Sequence, residues 1–195
     1  MAISVEDVKK LRDQTGAGMM KAKEALEHAD GNFDQAVKYL REKGEASAAK
    51  KSDREARQGV IESYVHSGRI GVLVEVNCET DFVARTDDFK AFVRDVAMHV
   101  AASNPEYLNA EAVPAEVVES EKAIYRKEVE GKPADIIEKI VDGKLAKYYE
   151  QVCLMNQPFV KDPDVTVGKL TTDLVAKLGE NIVIRRYERM EVGGV

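Results

Sequence analysis

The run Asn77-Cys-Glu-Thr-Asp-Phe-Val-Ala-Arg-Thr-Asp-Asp-Phe89 is where the chain changes its hydrophobic period. Just upstream, Ile70-Gly-Val-Leu-Val-Glu-Val-Asn77 alternates, with Ile70, Val72, Val74 and Val76 on one side, as in a β-strand. Downstream, Phe89, Phe92, Val93, Val96 and Val100 recur at the spacing of an amphipathic helix. The connection between them is short, rich in Thr and Asp, and carries a large aromatic, Phe82, beside a carboxylate, Asp81. Rigid elements on both sides fix such a connection while leaving its side chains free to bind. Spacing alone favours a plainer arrangement, in which Phe82 tucks beneath the sheet and Thr80 or Asp81 caps the next helix.

Working outward, Ser67-Gly68 is a hairpin signal joining this strand to Val60-Ile-Glu-Ser-Tyr-Val-His66. Ile182 to Val192 is a third strand candidate, and pairing it with the hairpin gives a small antiparallel sheet closed by segments distant in sequence. Before the sheet, Ser4 can cap a helix whose apolar side is Val5, Val8 and Leu11, with Asp7 as a weak capping box. Thr15-Gly-Ala-Gly18 breaks it, and a second helix from about Met19 to Ala29 turns Ala22, Ala25 and Leu26 inward. Asn32 caps a third helix, with Gln35 at the box position, a stripe of Phe33, Ala36, Val37 and Leu40, and Gly44 placed to stop it. Met19 and Met20 either form an adaptable contact surface, or one is core and the other merely exposed. Residues 45–58, with Lys50, Lys51, Arg54 and Arg57 among acids, read as a solvated helical linker.

After the Phe89 helix, the pattern predicts an antiparallel helical hairpin over about 114–155. Its arms run from Pro114 to Glu130 and from Ala134 to Met155, turned by Gly131-Lys-Pro133. The second arm's apolar positions are Ile137, Ile140, Val141, Tyr148 and Val152, and Gly143 inside it implies a kink or close packing. Val167 to Leu178 is a last helix ended by Gly179. The expected fold is therefore α+β: a three-helix module at 1–44, a charged linker at 45–58, and a core at 59–195 with a small antiparallel sheet, helices and the hairpin.

Composition narrows the chemistry. The 195 residues carry a formal charge of -6, which argues against a surface built to neutralise phosphates and favours a protein partner over nucleic acid. No apolar run approaches the ~20 residues of a membrane span. Glu6 and Asp7 interrupt any secretory leader pattern, so a cytoplasmic location is expected. Cys78 and Cys153 lie far apart and are expected to be reduced thiols. No Gly-x-x-x-x-Gly-Lys-Ser/Thr cradle is present; Gly131-Lys-Pro and Gly143-Lys-Leu have the wrong flanks. His28, His66 and His99 are scattered, without metal-ligand spacing to the cysteines, so no metal or cofactor is expected. Neither Ser63 nor Ser67 sits in a nucleophile elbow, and Asp87-Asp88 suits a helix N-terminus. His99 lies at the edge of the Phe89–Val100 stripe, half-buried or facing a partner.

Thr80-Asp-Phe-Val-Ala-Arg-Thr-Asp-Asp-Phe89 closely resembles the signature of the elongation factor Ts family, exchange factors for the translational GTPase elongation factor Tu. Leu11-Arg-Asp-Gln-Thr-Gly-Ala-Gly-Met-Met20 and Gln157-Pro-Phe-Val-Lys-Asp162 extend the likeness from end to end. Thr86 stands where the family more often has Asn; both suit a cap. The resemblance implies a guanine-nucleotide exchange factor without bond chemistry of its own, whose first three helices resemble a ubiquitin-associated fold and dock on the GTPase. It implies that Asp81 and Phe82, positioned by Thr80 and Val83, enter beside the partner's magnesium site and displace the ion. It also makes Leu11, Met19, Met20 and His99 candidate partner contacts. Long members carry two related core halves and this chain has room for about one, so a homodimer through open sheet edges is expected, against a monomer covered by the hairpin. The rivals are a ubiquitin-associated-like scaffold that binds without affecting nucleotide release, and a small enzyme using Asp81 and His99 as an acid–base pair.

Overall fold

The computed structural model describes residues 3–194. It is an α+β structure. Three helices come first: α1 (Val5–Thr15), α2 (Met19–His28) and α3 (Phe33–Ala49). A hairpin of β1 (Gln58–His66) and β2 (Ile70–Cys78) leads into the short α4 (Asp81–Ala84) and the long α5 (Asp87–Ser103). Then follow α6 (Ala115–Glu128), α7 (Ala134–Val152), β3 (Pro158–Phe159), β4 (Asp162–Thr166), α8 (Val167–Leu178) and β5 (Ile182–Glu191).

The sheet has the order β1-β2-β5. Its hairpin turn puts Ser67 and Gly68 at φ 51° and 66°, and Arg69 N donates to His66 O at 2.9 Å. That is a two-residue turn of the primed type, whose twist matches the flanking strands. On β2 the predicted face is buried at Val72, Val74 and Val76 and extends to Cys78, while Ile70 is only half-covered. On β5 the alternation of Ile182 and Ile184 slips by one residue at Arg185 and Arg186, as a bulge would produce.

The chain divides into two compact units. The first comprises Met1–Val60, Val76–Ala91 and Thr171–Arg185. In it Val8, Leu11, Ala22, Ala25, Leu26, Ala29 and Ala36 form the three-helix core, with Ile3, Phe33, Val37, Tyr39 and Leu40 packed against them. Ser4 and Asn32 cap α1 and α3 by accepting from Asp7 N and Gln35 N, each at 3.0 Å. Val5 is not on the buried side; it is 71% exposed, and Ile3, before the cap, packs against the core. Nor does Gly44 stop α3, which continues to Ala49 before the chain turns, so only the start of the 45–58 stretch is helical. The glycine serves close packing instead, since a Cβ there would lie 3.2 Å from Ala176 Cβ on α8.

The second unit comprises Ile61–Glu75, Phe92–Leu170 and Arg186–Val195. Here α6 and α7 form the expected hairpin, laced by Arg126 to Glu138 at 3.0 Å, Lys144 to Glu128, and the Lys144 ammonium 5.4 Å from the Tyr125 ring centre. The α7 helix ends at Val152 rather than Met155. Tyr107 O and Leu108 O accept from Leu154 N and Met155 N at 2.9 and 3.0 Å, which diverts the backbone into a 3-10 turn at Leu154–Asn156. The short β3–β4 hairpin after it has no periodicity long enough to read in advance.

Two glycines make a contrast that stability measurements can read. A Cβ at Gly143 would meet nothing within 4 Å, so the expected close packing is absent and α7 runs through unbroken. A Cβ at Gly168 would lie 2.7 Å from Met155 O. Gly143→Ala should therefore stabilise by about 0.5–1 kcal/mol through helix propensity. Gly168→Ala should destabilise by about 1–3 kcal/mol through overpacking. Urea unfolding of the two variants checks both signs.

Candidate functional site

The strand-to-helix connection is built from side-chain caps. Thr80 precedes α4, and its hydroxyl accepts from Val83 N at 3.4 Å. Thr86 closes the turn: its hydroxyl donates to Val83 O at 2.8 Å and accepts from Phe89 N at 3.3 Å, starting α5. Phe89 and Val93 then anchor α5 in the interior, both fully buried. Between these caps Phe82 stands 78% exposed. The capping expected of Thr80 is present, and the position expected of Phe82 beneath the sheet is not. The helix is one turn long, and Ala84 occupies its inward position, leaving Phe82 on the outward side. Asp81 is held at 2.7 Å by Arg85, on the same side of that turn. Val83 is half-buried.

The base of this connection is tied to residues a hundred positions away. Glu180 accepts from Glu79 N at 3.1 Å, from Thr80 N at 3.0 Å and from the Thr80 hydroxyl at 2.6 Å. In return, Asn181 N donates to Glu79 Oε1 at 2.6 Å, and Asn181 Nδ2 donates to Ser52 O and Arg54 O at 3.2 and 2.7 Å. Cys78, fully buried beside them, donates to Thr80 O at 3.1 Å. Burial, with the Glu180 charge second, pushes its thiol up to about 11, so it is a packing residue and not a nucleophile. Glu180 and Asn181 escaped sequence reading; their only signal was a polar pair between Gly179 and a strand.

The other candidates divide by exposure. Met19 and Met20 are 40% and 77% exposed at the start of α2, so neither is core. Leu11 is fully buried among the three helices; it holds their core together and has no surface to offer a partner.

His99 also departs from expectation. It is fully buried rather than half-covered or partner-facing. Its Nδ1 accepts from Val160 N at 3.2 Å, which fixes the proton of the neutral ring on Nε2, 2.9 Å from Gln157 Oε1. The Phe159 ring lies 5.9 Å away, centre to centre. Gln157 completes the chain by donating from Nε2 to Gln151 O at 2.7 Å. With both nitrogens engaged inside the fold, His99 is a poor partner for Asp81 in an acid–base pair.

Burial holds the His99 pKa below the ordinary imidazole value, against a smaller opposing effect from Gln157. A second proton would also set Nδ1–H against Val160 N–H. An unfolded histidine titrates at about 6.5. The unfolded state therefore takes up the proton first on acidification, and stability falls as pH drops from about 6.5 toward the lowered folded value. Above that window the contribution is constant. Melting temperatures between pH 7.5 and 5 should fall more steeply for the native chain than for His99→Gln, and equal slopes would contradict this.

Comparison with known proteins agrees with the three quoted motifs. The family model for Elongation factor TS matches residues 4–173. An elongation factor Ts from Alkaliphilus oremlandii is 58% identical over 195 residues, covering 99% of this chain and 90% of the relative. One from Heliobacterium modesticaldum is 57% identical, covering 95% and 88%, and one from Thermodesulfovibrio yellowstonii is 53% identical, covering 99% and 98%. With a family model spanning most of its length and relatives of this identity along nearly the whole chain, the protein belongs to the elongation factor Ts family.

Proposed function

We propose that this chain is a guanine-nucleotide exchange factor for elongation factor Tu in translation elongation, and that it promotes GDP release by displacing the GTPase magnesium ion. The observation that carries the reading is Phe82, 78% exposed on a one-turn helix whose ends are fixed by Thr80 and Thr86. A large aromatic in water is unfavourable unless a partner buries it, and burial of a Phe contributes about 1.5–3 kcal/mol. Asp81 beside it brings a carboxylate to the same place. Wedged against the GTPase, the pair shifts the magnesium-binding region, and loss of the ion exposes phosphate repulsion that it had masked.

Exchange by this route needs no bond chemistry and no cofactor. The factor binds the empty GTPase more tightly than the loaded one, and by linkage bound nucleotide weakens the factor by the same ratio. Met19 and Met20, exposed together at the α2 N-terminus, are the docking contacts of the three-helix module at 1–44, with 45–58 as its linker. The factor's place of action is the cytoplasm, where the GTPase works; among the described residues no helix is long and apolar enough to cross a membrane.

We further propose that two copies pair through their sheets. Edge strand β1 carries Ile61 and Val65, 65% and 66% exposed. By the register of a two-residue hairpin they stand opposite Val74 and Ile70, so they belong to the apolar face that β2 buries. A second copy would cover them and pair the open edge.

Phe82→Ala should slow GDP release from elongation factor Tu by about 30- to 1,000-fold, the cost of removing a central aromatic anchor worth about 2–4 kcal/mol. Its melting temperature should be unchanged, because the ring is exposed. Stopped-flow release of fluorescent GDP, run beside thermal unfolding, separates this from a scaffold that binds without effect. For assembly, sedimentation equilibrium at micromolar concentration and raised salt should give the mass of two chains, reduced to one by Ile61→Lys. A native mass of one chain would exclude the dimer.

A further inference from the structure

We propose that Glu180 is a positioning residue for the Phe82 turn: its carboxylate fixes the connection from outside, so that Phe82 meets the GTPase already oriented. The inference rests on the exchange reading above. A helix of one turn cannot sustain itself, since nucleation fixes several residues for a single hydrogen bond. The bonds that start α4 within its own stretch are long, Val83 N to the Thr80 hydroxyl at 3.4 Å and Ala84 N to Thr80 O at 3.3 Å, while its far end is held by Thr86, whose N and hydroxyl both donate to Val83 O at 3.0 and 2.8 Å.

Glu180 supplies the rest. Its two oxygens accept three hydrogen bonds, all from Glu79 and Thr80. The shortest, from the Thr80 hydroxyl at 2.6 Å, commits that hydroxyl's proton and leaves its lone pairs for Val83 N. The carboxylate thus orients the cap that starts α4. Glu180 is itself on a firm base, between α8, where Leu174 and Val175 are buried, and β5, where Ile182 and Ile184 are buried. Asn181, 5% exposed, reinforces the link through Glu79 from the opposite direction. A carboxylate making three bonds to one turn, two residues from an exposed aromatic, is placed to set the direction of that aromatic. Rigid presentation matters because freedom lost on binding counts against the complex.

The test uses the full chain with Glu180→Ala, Glu180→Gln and Thr80→Val, the glutamate variants also combined with Phe82→Ala. Release of fluorescent GDP from elongation factor Tu is measured against factor concentration, and amide hydrogen exchange is followed at Glu79 and Thr80 in the free factor. Glu180→Ala should lower the maximal release rate by about ten- to a hundredfold, the scale of a misplaced group, with a smaller change in half-saturating concentration. Protection at Glu79 and Thr80 should be lost. Glu180→Gln, which keeps one acceptor oxygen, should fall between, and Thr80→Val should share the rate signature if Glu180→Ala proves too unstable to assay. In the Phe82→Ala background, removing Glu180 should add nothing. A native rate for Glu180→Ala and Thr80→Val, or effects that multiply with Phe82→Ala, would overturn the positioning role while leaving the exchange reading intact. A native rate for Phe82→Ala alone would remove that reading, and this inference with it.

Discussion

A phenylalanine left in water on a four-residue helix cannot hold itself there, and the polar framework of the first unit supplies the restraint. Hydration drives Phe82 toward any apolar surface the chain offers, and one helical turn has too few internal bonds to resist. The restraint comes from segments remote in sequence: Glu180 and Asn181 on one side, Glu79 and Thr80 on the other. The same asparagine holds the carbonyls of Ser52 and Arg54, so the chain leaving α3 and the chain entering α4 share one anchor. An exposed apolar group and a dense set of charge-assisted bonds beneath it are therefore parts of one arrangement.

The second unit solves a different problem, that of a polar ring inside. His99 is tolerated at full burial because each nitrogen has one partner of the right kind, a donor at Nδ1 and an acceptor at Nε2. Gln157 then passes its remaining valence to the backbone of α7. The arrangement accounts for much of the stretch Gln157–Asp162, whose residues Gln157, Phe159 and Val160 all surround the imidazole. In this chain that stretch organises a buried polar site around His99.

Much of the fold was legible because its signals are local. Capping by Ser4, Asn32 and Thr80 needs only a short side chain and an amide three residues on. The β2 alternation and the Ser67-Gly68 turn are likewise set within a few residues. Where an element ends elsewhere than its local pattern implies, neighbours far off in sequence decide it. Gly44 looks like a stop until Ala176 is placed against it, and α7 looks longer until residues 107 and 108 take its backbone donors. Of the candidate site, Thr80, Asp81, Phe82 and Val83 were recognisable as a group from their motif. Leu11 and His99, candidate partner contacts by resemblance, are both fully buried; a periodicity marks which face is apolar without saying how much of its edge is covered.

What the sequence by itself determined is the order of the long elements, the faces of the main helices and strands, and the short connection that carries Asp81 and Phe82. Each of these follows from side-chain spacing and cap chemistry within about one turn or one hairpin. Only the tertiary structure decided that Phe82 is turned outward, that His99 is sealed inside, and that Glu180 and Asn181 hold the connection in place. Those outcomes depend on which groups meet across long stretches of intervening chain, 101 and 102 positions for Glu180 and Asn181 and 58 and 61 for His99. Burial and hydrogen-bond partnership are properties of that meeting, and no local spacing encodes them.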